Sequence, residues 1–178
     1  MPVRDKKGNV YLMGFMGCGK SRIGGILSGI LGRPFLDIDS HIAQDAGMEI
    51  PEIFAVEGET GFRAREKAWV MRASGMTGCV IALGGGAVLD SENWERIILS
   101  GVTVTLSYPV EIIARRLSGK PDRPLLNVPE PERIERIREL MEKREPLYNR
   151  ADLVLHLNRE LTPQHVARMV AAFVREEA

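Results

Sequence analysis

The sequence predicts an α/β fold of three α/β/α layers around a five-stranded parallel sheet. Three observations predict it. Short apolar runs alternate with longer helical stretches along the whole chain, and strands that alternate with helices imply a parallel sheet covered on both faces. The first strand feeds a glycine-rich loop that opens a helix, an arrangement suited to anions. The next two strands end in "FLDID" and "ALGGGAV", at the carboxyl ends where ligands bind in open α/β sheets.

The elements follow in order. Residues 10–13 read as the first strand, and residues 20–31 as a helix closed by Gly32 and Pro34. Residues 34–37 form a second, short strand. Residues 40–46 and 50–57 are short helices with Gly47 and Gly58 as stops, and residues 59–74 a longer one. Residues 79–83 are a third strand, 92–99 a helix and 102–106 a fourth strand. Residues 109–117 are helical. Residues 118–131 are rich in proline and glycine and read as a loop. A charged helix over 132–145 should break at Pro146, before a fifth strand over 153–157 and a closing helix over 163–176.

A chain of 178 residues suggests one domain, 1–178. Lysine plus arginine and aspartate plus glutamate each number 24, so charge balance demands neither nucleic acid nor an anionic membrane. No apolar run reaches the ~18 residues of a membrane helix. Two cysteines, Cys18 and Cys79, make no disulfide framework or metal spacing. No apolar signal core follows Met1, so a cytoplasmic setting is expected.

Gly14-Phe15-Met16-Gly17-Cys18-Gly19-Lys20-Ser21 fits G-x-x-x-x-G-K-[ST] at every specified position. Glycines let successive N–H groups turn inward toward phosphate oxygens. Lys20 is expected at the β- and γ-phosphates and the Ser21 hydroxyl at Mg²⁺. The motif implies a nucleoside triphosphate without saying what becomes of its γ-phosphate. Cys18 is either a small filler or a thiol activated by loop amides.

Many triphosphatases end a strand in an acid near magnesium, yet the third strand ends in Gly84, Gly85 and Gly86. Asp37 and Asp39, on the second strand, can supply the acid: in extended chain they face the same way. Asp39 or Ser40 capping the next helix is the alternative. The residues alone leave open what the three glycines are for. Arginine far outnumbers lysine, which suits carboxylate and phosphate capture, although composition does not single out particular arginines.

Together these segments resemble the shikimate kinases, small phosphate-loop proteins of the nucleoside monophosphate kinase group. The resemblance rests on "GFMGCGKS", "FLDID", "IPEIFAVEGETGFR", "ALGGGAV", "RLSGKPDRPLL" and "KREPLYNRAD" in that order. It implies transfer of the γ-phosphate of ATP to the 3-hydroxyl of shikimate by a cytoplasmic monomer. Asp39, Lys20 and Arg123 would be catalytic. Gly17, Cys18, Gly19, Lys20, Ser21, Arg22, Arg116, Arg123 and Arg159 would bind nucleotide. Asp39, Arg63, Gly84, Gly85, Gly86 and Arg144 would bind the acceptor, with Arg63 and Arg144 on its carboxylate. Ser21 and Asp37 would hold Mg²⁺. Helices within 40–75 would form the acceptor side, and residues 118–131 a lid carrying Arg123. Arg22 departs from the threonine common in the family. A kinase for another polyol acid such as gluconate, or a silent nucleotide-binding regulator, are the rival readings.

Overall fold

The computed structural model describes residues 8–119 and 124–176. Its strands are β1 (Asn9–Met13), β2 (Phe35–Asp37), β3 (Val80–Ala82), β4 (Gly101–Ser107) and β5 (Leu153–His156). They form one sheet in the order β2-β3-β1-β4-β5, with every pairing parallel. The helices are α1 (Lys20–Leu31), α2 (Ile38–Ala46), α3 (Ile50–Ser74), α4 (Ser91–Ser100), α5 (Val110–Leu117), α6 (Glu130–Tyr148) and α7 (Pro163–Glu176). Short 3₁₀ turns cover Ala87–Leu89 and Pro124–Leu126.

Burial explains the strand order. All five residues of β1 are buried, as befits the central strand, whereas β5 at the edge is only half-buried. Helices cover both faces because each presents one apolar stripe. In α7, Val166, Ala167, Val170, Ala171 and Val174 are buried at helical spacing, and α7 packs against α1. Buried Asn9 ties the amino ends of the strands to α3. Its Nδ2 donates to Ala73 O (3.2 Å) and Met76 O (2.9 Å), and its Oδ1 accepts from Cys79 N (2.9 Å). Those bonds satisfy a polar group that burial would otherwise penalise.

The structure corrects three expected boundaries. Strand β2 ends at Asp37, so Asp37 and Asp39 do not share an extended segment: Asp37 is the N-cap of α2, accepting from Ser40 N (3.2 Å), and Asp39 stands in the first turn. Two expected helices run together as α3, although Gly58 (φ 71°, ψ −179°) leaves helical geometry between them. Helix α6 does not break at Pro146 but continues to Tyr148. A proline there lacks the N–H that would reach the Glu142 carbonyl. Glu142 and Pro146 are exposed, so water can serve that acceptor.

Candidate active site

The phosphate loop joins the end of β1 to α1. Gly14, Gly17 and Gly19 have φ of 132°, 79° and 91°, a region closed to most side chains. A Cβ on Gly14 would also lie 2.6 Å from Leu106 O. Lys20 folds back over the loop, where its Nζ donates to Gly14 O (2.8 Å) and Phe15 O (3.1 Å). Cys18 is buried, as a filler would be. Ser21 is exposed in the first turn of α1.

A compact pocket of about 70 Å³ lies beside this loop, at the carboxyl ends of β2 and β3. Helix α3 contributes Phe62, Arg63 and Glu66 to it, and α6 contributes Arg144. Arg63 Nη1 donates to Glu66 Oε2 (2.7 Å), while its Nε and Nη2 donate to Glu59 Oε1 (3.3 and 3.1 Å). Glu66 is 1% exposed. Burial pushes its carboxyl above the ordinary range, and Arg63 only partly opposes that. Burial disfavours charge on Arg63 too, but Glu66 and Glu59 outweigh it and hold the guanidinium pKa above its usual value.

The three glycines make room for these side chains. A Cβ on Gly84 would lie 2.2 Å from Glu66 Oε1 and 2.9 Å from Asp39 Oδ1. One on Gly86 would lie 2.5 Å from both terminal nitrogens of Arg63. Gly85 stands between pocket and phosphate loop: its Cβ position is 3.4 Å from Met16 N and 3.6 Å from Gly14 O. Its carbonyl accepts from Tyr148 Oη (2.5 Å) and Arg144 Nη1 (3.3 Å). Arg144 is 4% exposed and lies over the Phe15 ring, 5.5 Å from its centroid. Burial pushes the Tyr148 hydroxyl pKa up, which keeps it a donor.

On the far side of the loop, Gly17, Gly19, Arg22 and Arg116 line a cleft of about 400 Å³ closed by Tyr108, Glu160, Leu161 and Pro163. Arg116 stacks over the Tyr108 ring at 4.1 Å. It also donates to Gly17 O (3.2 Å) and Glu160 Oε1 (3.3 Å). The site is thus bipartite, a phosphate loop with a pocket carrying Arg63, Arg144, Asp39 and Glu66 on one side and an aromatic-walled cleft on the other.

Comparison with known proteins agrees with this arrangement. The family model described as shikimate kinase matches residues 16–175. This chain belongs to the shikimate kinase family. A shikimate kinase of Nostoc sp. is 42% identical over 162 residues, which are 91% of this chain and 88% of that protein. One from Caldanaerobacter subterraneus subsp. tengcongensis is 40% identical over 94% of this chain and 96% of its own. Among solved structures, shikimate kinase from Acinetobacter baumannii in complex with shikimate superposes with a TM-score of 0.90, at 35% identity, covering 96% of this chain and 94% of that one.

For a shikimate kinase family member, most of the expected residues fall into two groups here, while Lys20 and Ser21 stand on the phosphate loop and the start of α1, and Asp37 at the start of α2. Asp39, Arg63, Gly84, Gly85, Gly86 and Arg144 line one pocket. Gly17, Cys18, Gly19, Arg22 and Arg116 line the cleft, and Arg159 is exposed beside its Glu160–Leu161 wall. Arg123 and its neighbours 120–122 lie outside the described residues. Sequence reasoning missed Tyr148, Phe15 and Tyr108 as partners of the site arginines, and left Glu66 without a role. The i,i+3 spacing of Arg63 and Glu66 was a signal for the last; the others had none, because their contacts join residues distant in sequence.

Proposed function

We infer that this chain is an ATP-dependent kinase whose acceptor is shikimate. The observation that carries this is the wall shared at Gly85: a pocket with two arginines and Asp39 abuts the loop that holds phosphate. Shikimate, the ligand named with the Acinetobacter baumannii structure, is a polyol carboxylate and suits that pocket. Arg63 and Arg144 hold its carboxylate. Backbone groups of Gly84 to Gly86 meet its hydroxyls. Asp39 orients the 3-hydroxyl and takes its proton as the oxygen attacks the γ-phosphorus and the bond to the ADP oxygen breaks. Lys20, the loop amides and Arg123 stabilise the transferring charge.

The residues fit magnesium. Hydroxyl and carboxylate oxygens are hard donors, and one Asp37 oxygen, Oδ1, is engaged in capping α2. Among the described residues no group of three His, Cys, Asp or Glu forms a protein cage; Mg²⁺ typically keeps waters and takes substrate phosphates instead. Ser21 and, through water, Asp37 would hold it. When bound with nucleotide, the ion neutralises charge on the phosphates.

Arg22, Arg116 and Arg159 serve the nucleotide side. The chain works as one kinase domain, with acceptor-binding helices within 40–75 and a lid over 118–131. It acts as a cytoplasmic monomer without nucleic acid or membrane partners; among the described residues no helix is long and apolar enough to cross a membrane. A coupled ADP-release assay tests the function. ADP should appear with shikimate and not with gluconate or without acceptor. Equal rates with gluconate, or no dependence on shikimate, would refute the reading.

A further inference from the structure

A third concavity is used by neither substrate. It encloses about 300 Å³ between the carboxyl end of β4, the start of α5 and one face of α6. Its floor is apolar, formed by Phe15, Leu106, Ile113 and Met141. Its rim is acidic. Glu142 and Glu145 line it and are exposed, while Arg138 on the same rim is already ion-paired with Glu135. Small-molecule sites start near ~300 Å³ and combine apolar walls with a few polar groups. This cavity therefore has room for a single ring, and its rim favours a cation over an anion.

Its walls reach both substrate sites. Tyr148 lines the cavity and donates to Gly85 O at 2.5 Å. Phe15 lines it from beneath Arg144. Tyr108 lines it with one side and carries the Arg116 guanidinium at 4.1 Å. Helix α6 supplies the acidic rim and Arg144 alike. A ligand seated here touches the groups that set the positions of Arg144 and Gly85 without entering the acceptor pocket.

We propose that this cavity is a regulatory site for a small aromatic amine, its ring on Phe15, Leu106, Ile113 and Met141 and its ammonium at Glu142 and Glu145. Such a ligand shifts acceptor affinity because it favours one arrangement of Tyr148 and α6 over others. By reciprocity, shikimate changes the amine's affinity by the same factor. The regulatory half rests on shikimate being the acceptor; the binding half does not.

The test titrates the full chain with 2-phenylethylamine, followed by NMR of the Met141 methyl and the Asn149 side-chain amide, with phenylacetate as the oppositely charged control. Saturable shifts at those groups are expected, with the amine bound about tenfold more tightly than the acid. The double variant Glu142→Gln, Glu145→Gln should weaken the amine about fivefold and leave turnover without amine unchanged. Saturating amine should change the apparent KM for shikimate by about threefold or more. Absence of saturable shifts, equal binding of the acid, or shifts centred on Asp39 and Arg63 in the acceptor pocket would overturn the site. Binding with no change in KM would overturn its regulatory role. If shikimate is not phosphorylated at all, the functional reading fails, while the NMR titration still decides whether the amine binds.

Discussion

Gly86 lacks a side chain because the Arg63 guanidinium stands where one would be, 2.5 Å from its Cβ position. Gly86→Ala must therefore displace Arg63 from Glu66 and from the acceptor pocket. The expected outcome is a rise of about tenfold or more in KM for shikimate, equivalent to ~1.4 kcal/mol or more, with ADP affinity unchanged by calorimetry. An unchanged KM would show that Arg63 does not hold the acceptor. Asp39 is tested through rate. Asp39→Asn keeps the shape of the pocket and removes the base, so kcat should fall by roughly 10²–10⁴ while ADP still binds. Near-normal turnover would remove Asp39 from proton transfer. At this scale the sequence was legible where chemistry is local. The phosphate loop and Asp39 stand in short motifs, whereas Arg63 was singled out only by the family resemblance. The reason for the glycines was not legible, because the atoms they avoid belong to Glu66, Asp39 and Arg63 on α2 and α3, elements away from β3.

Elements were legible wherever their signals were covalent. Gly32 and Gly47 end α1 and α2 in the left-handed conformation, as their positions in the sequence implied. The joins were less legible. Whether Gly58 ends a helix or kinks one depends on what its flanks do afterwards, and here Glu57 and Arg65 bridge the kink with bonds of 2.7 and 2.8 Å. Likewise Pro146 argues for a break, but the α6 backbone around it is held by Tyr148 on Gly85 O and by Thr105 Oγ1 donating to Tyr148 O (2.8 Å). Tertiary bonds override a local preference that costs ~3 kcal/mol. The kink has a direct test. Gly58 sits at φ 71°, ψ −179°, a region essentially reserved for glycine. Beyond its chain neighbours and the adjacent helix backbone, nothing lies within 4 Å of its Cβ position, so Gly58→Ala probes backbone strain without a clash against other parts of the fold. It should cost about 1–3 kcal/mol in urea unfolding. An unchanged midpoint would mean that α3 can straighten, and the acceptor pocket should then lose affinity instead.

Over the whole molecule, the sheet order brings the two halves of the site together at the carboxyl ends of the central strands. Strand β1 lies between β3 and β4, so the loop after β1 has the glycines of β3 on one side and the aromatic end of β4 on the other. The alternation of strands and helices foretold a parallel sheet, but not this adjacency, which rests on pairing between strands distant in sequence. Its consequence is coupling. The acceptor pocket and phosphate loop share a wall in which Gly85 abuts Met16 N and Gly14 O, and Arg144 lies over Phe15 while donating to Gly85 O. Ordering that wall for one substrate lowers the cost of ordering it for the other. Saturating shikimate should therefore tighten ADP binding by about fivefold or more, roughly 1 kcal/mol, and ADP should tighten shikimate by the same factor. Tyr148→Phe removes the hydroxyl donor to Gly85 O while keeping the ring, and it should reduce that factor more than it weakens either substrate alone. Calorimetry of each ligand with and without the other, in both proteins, supplies the four affinities required. A coupling factor of one in the unmodified chain would mean that the Gly85 wall is rigid in every state, and that nucleotide and acceptor bind side by side without sensing each other.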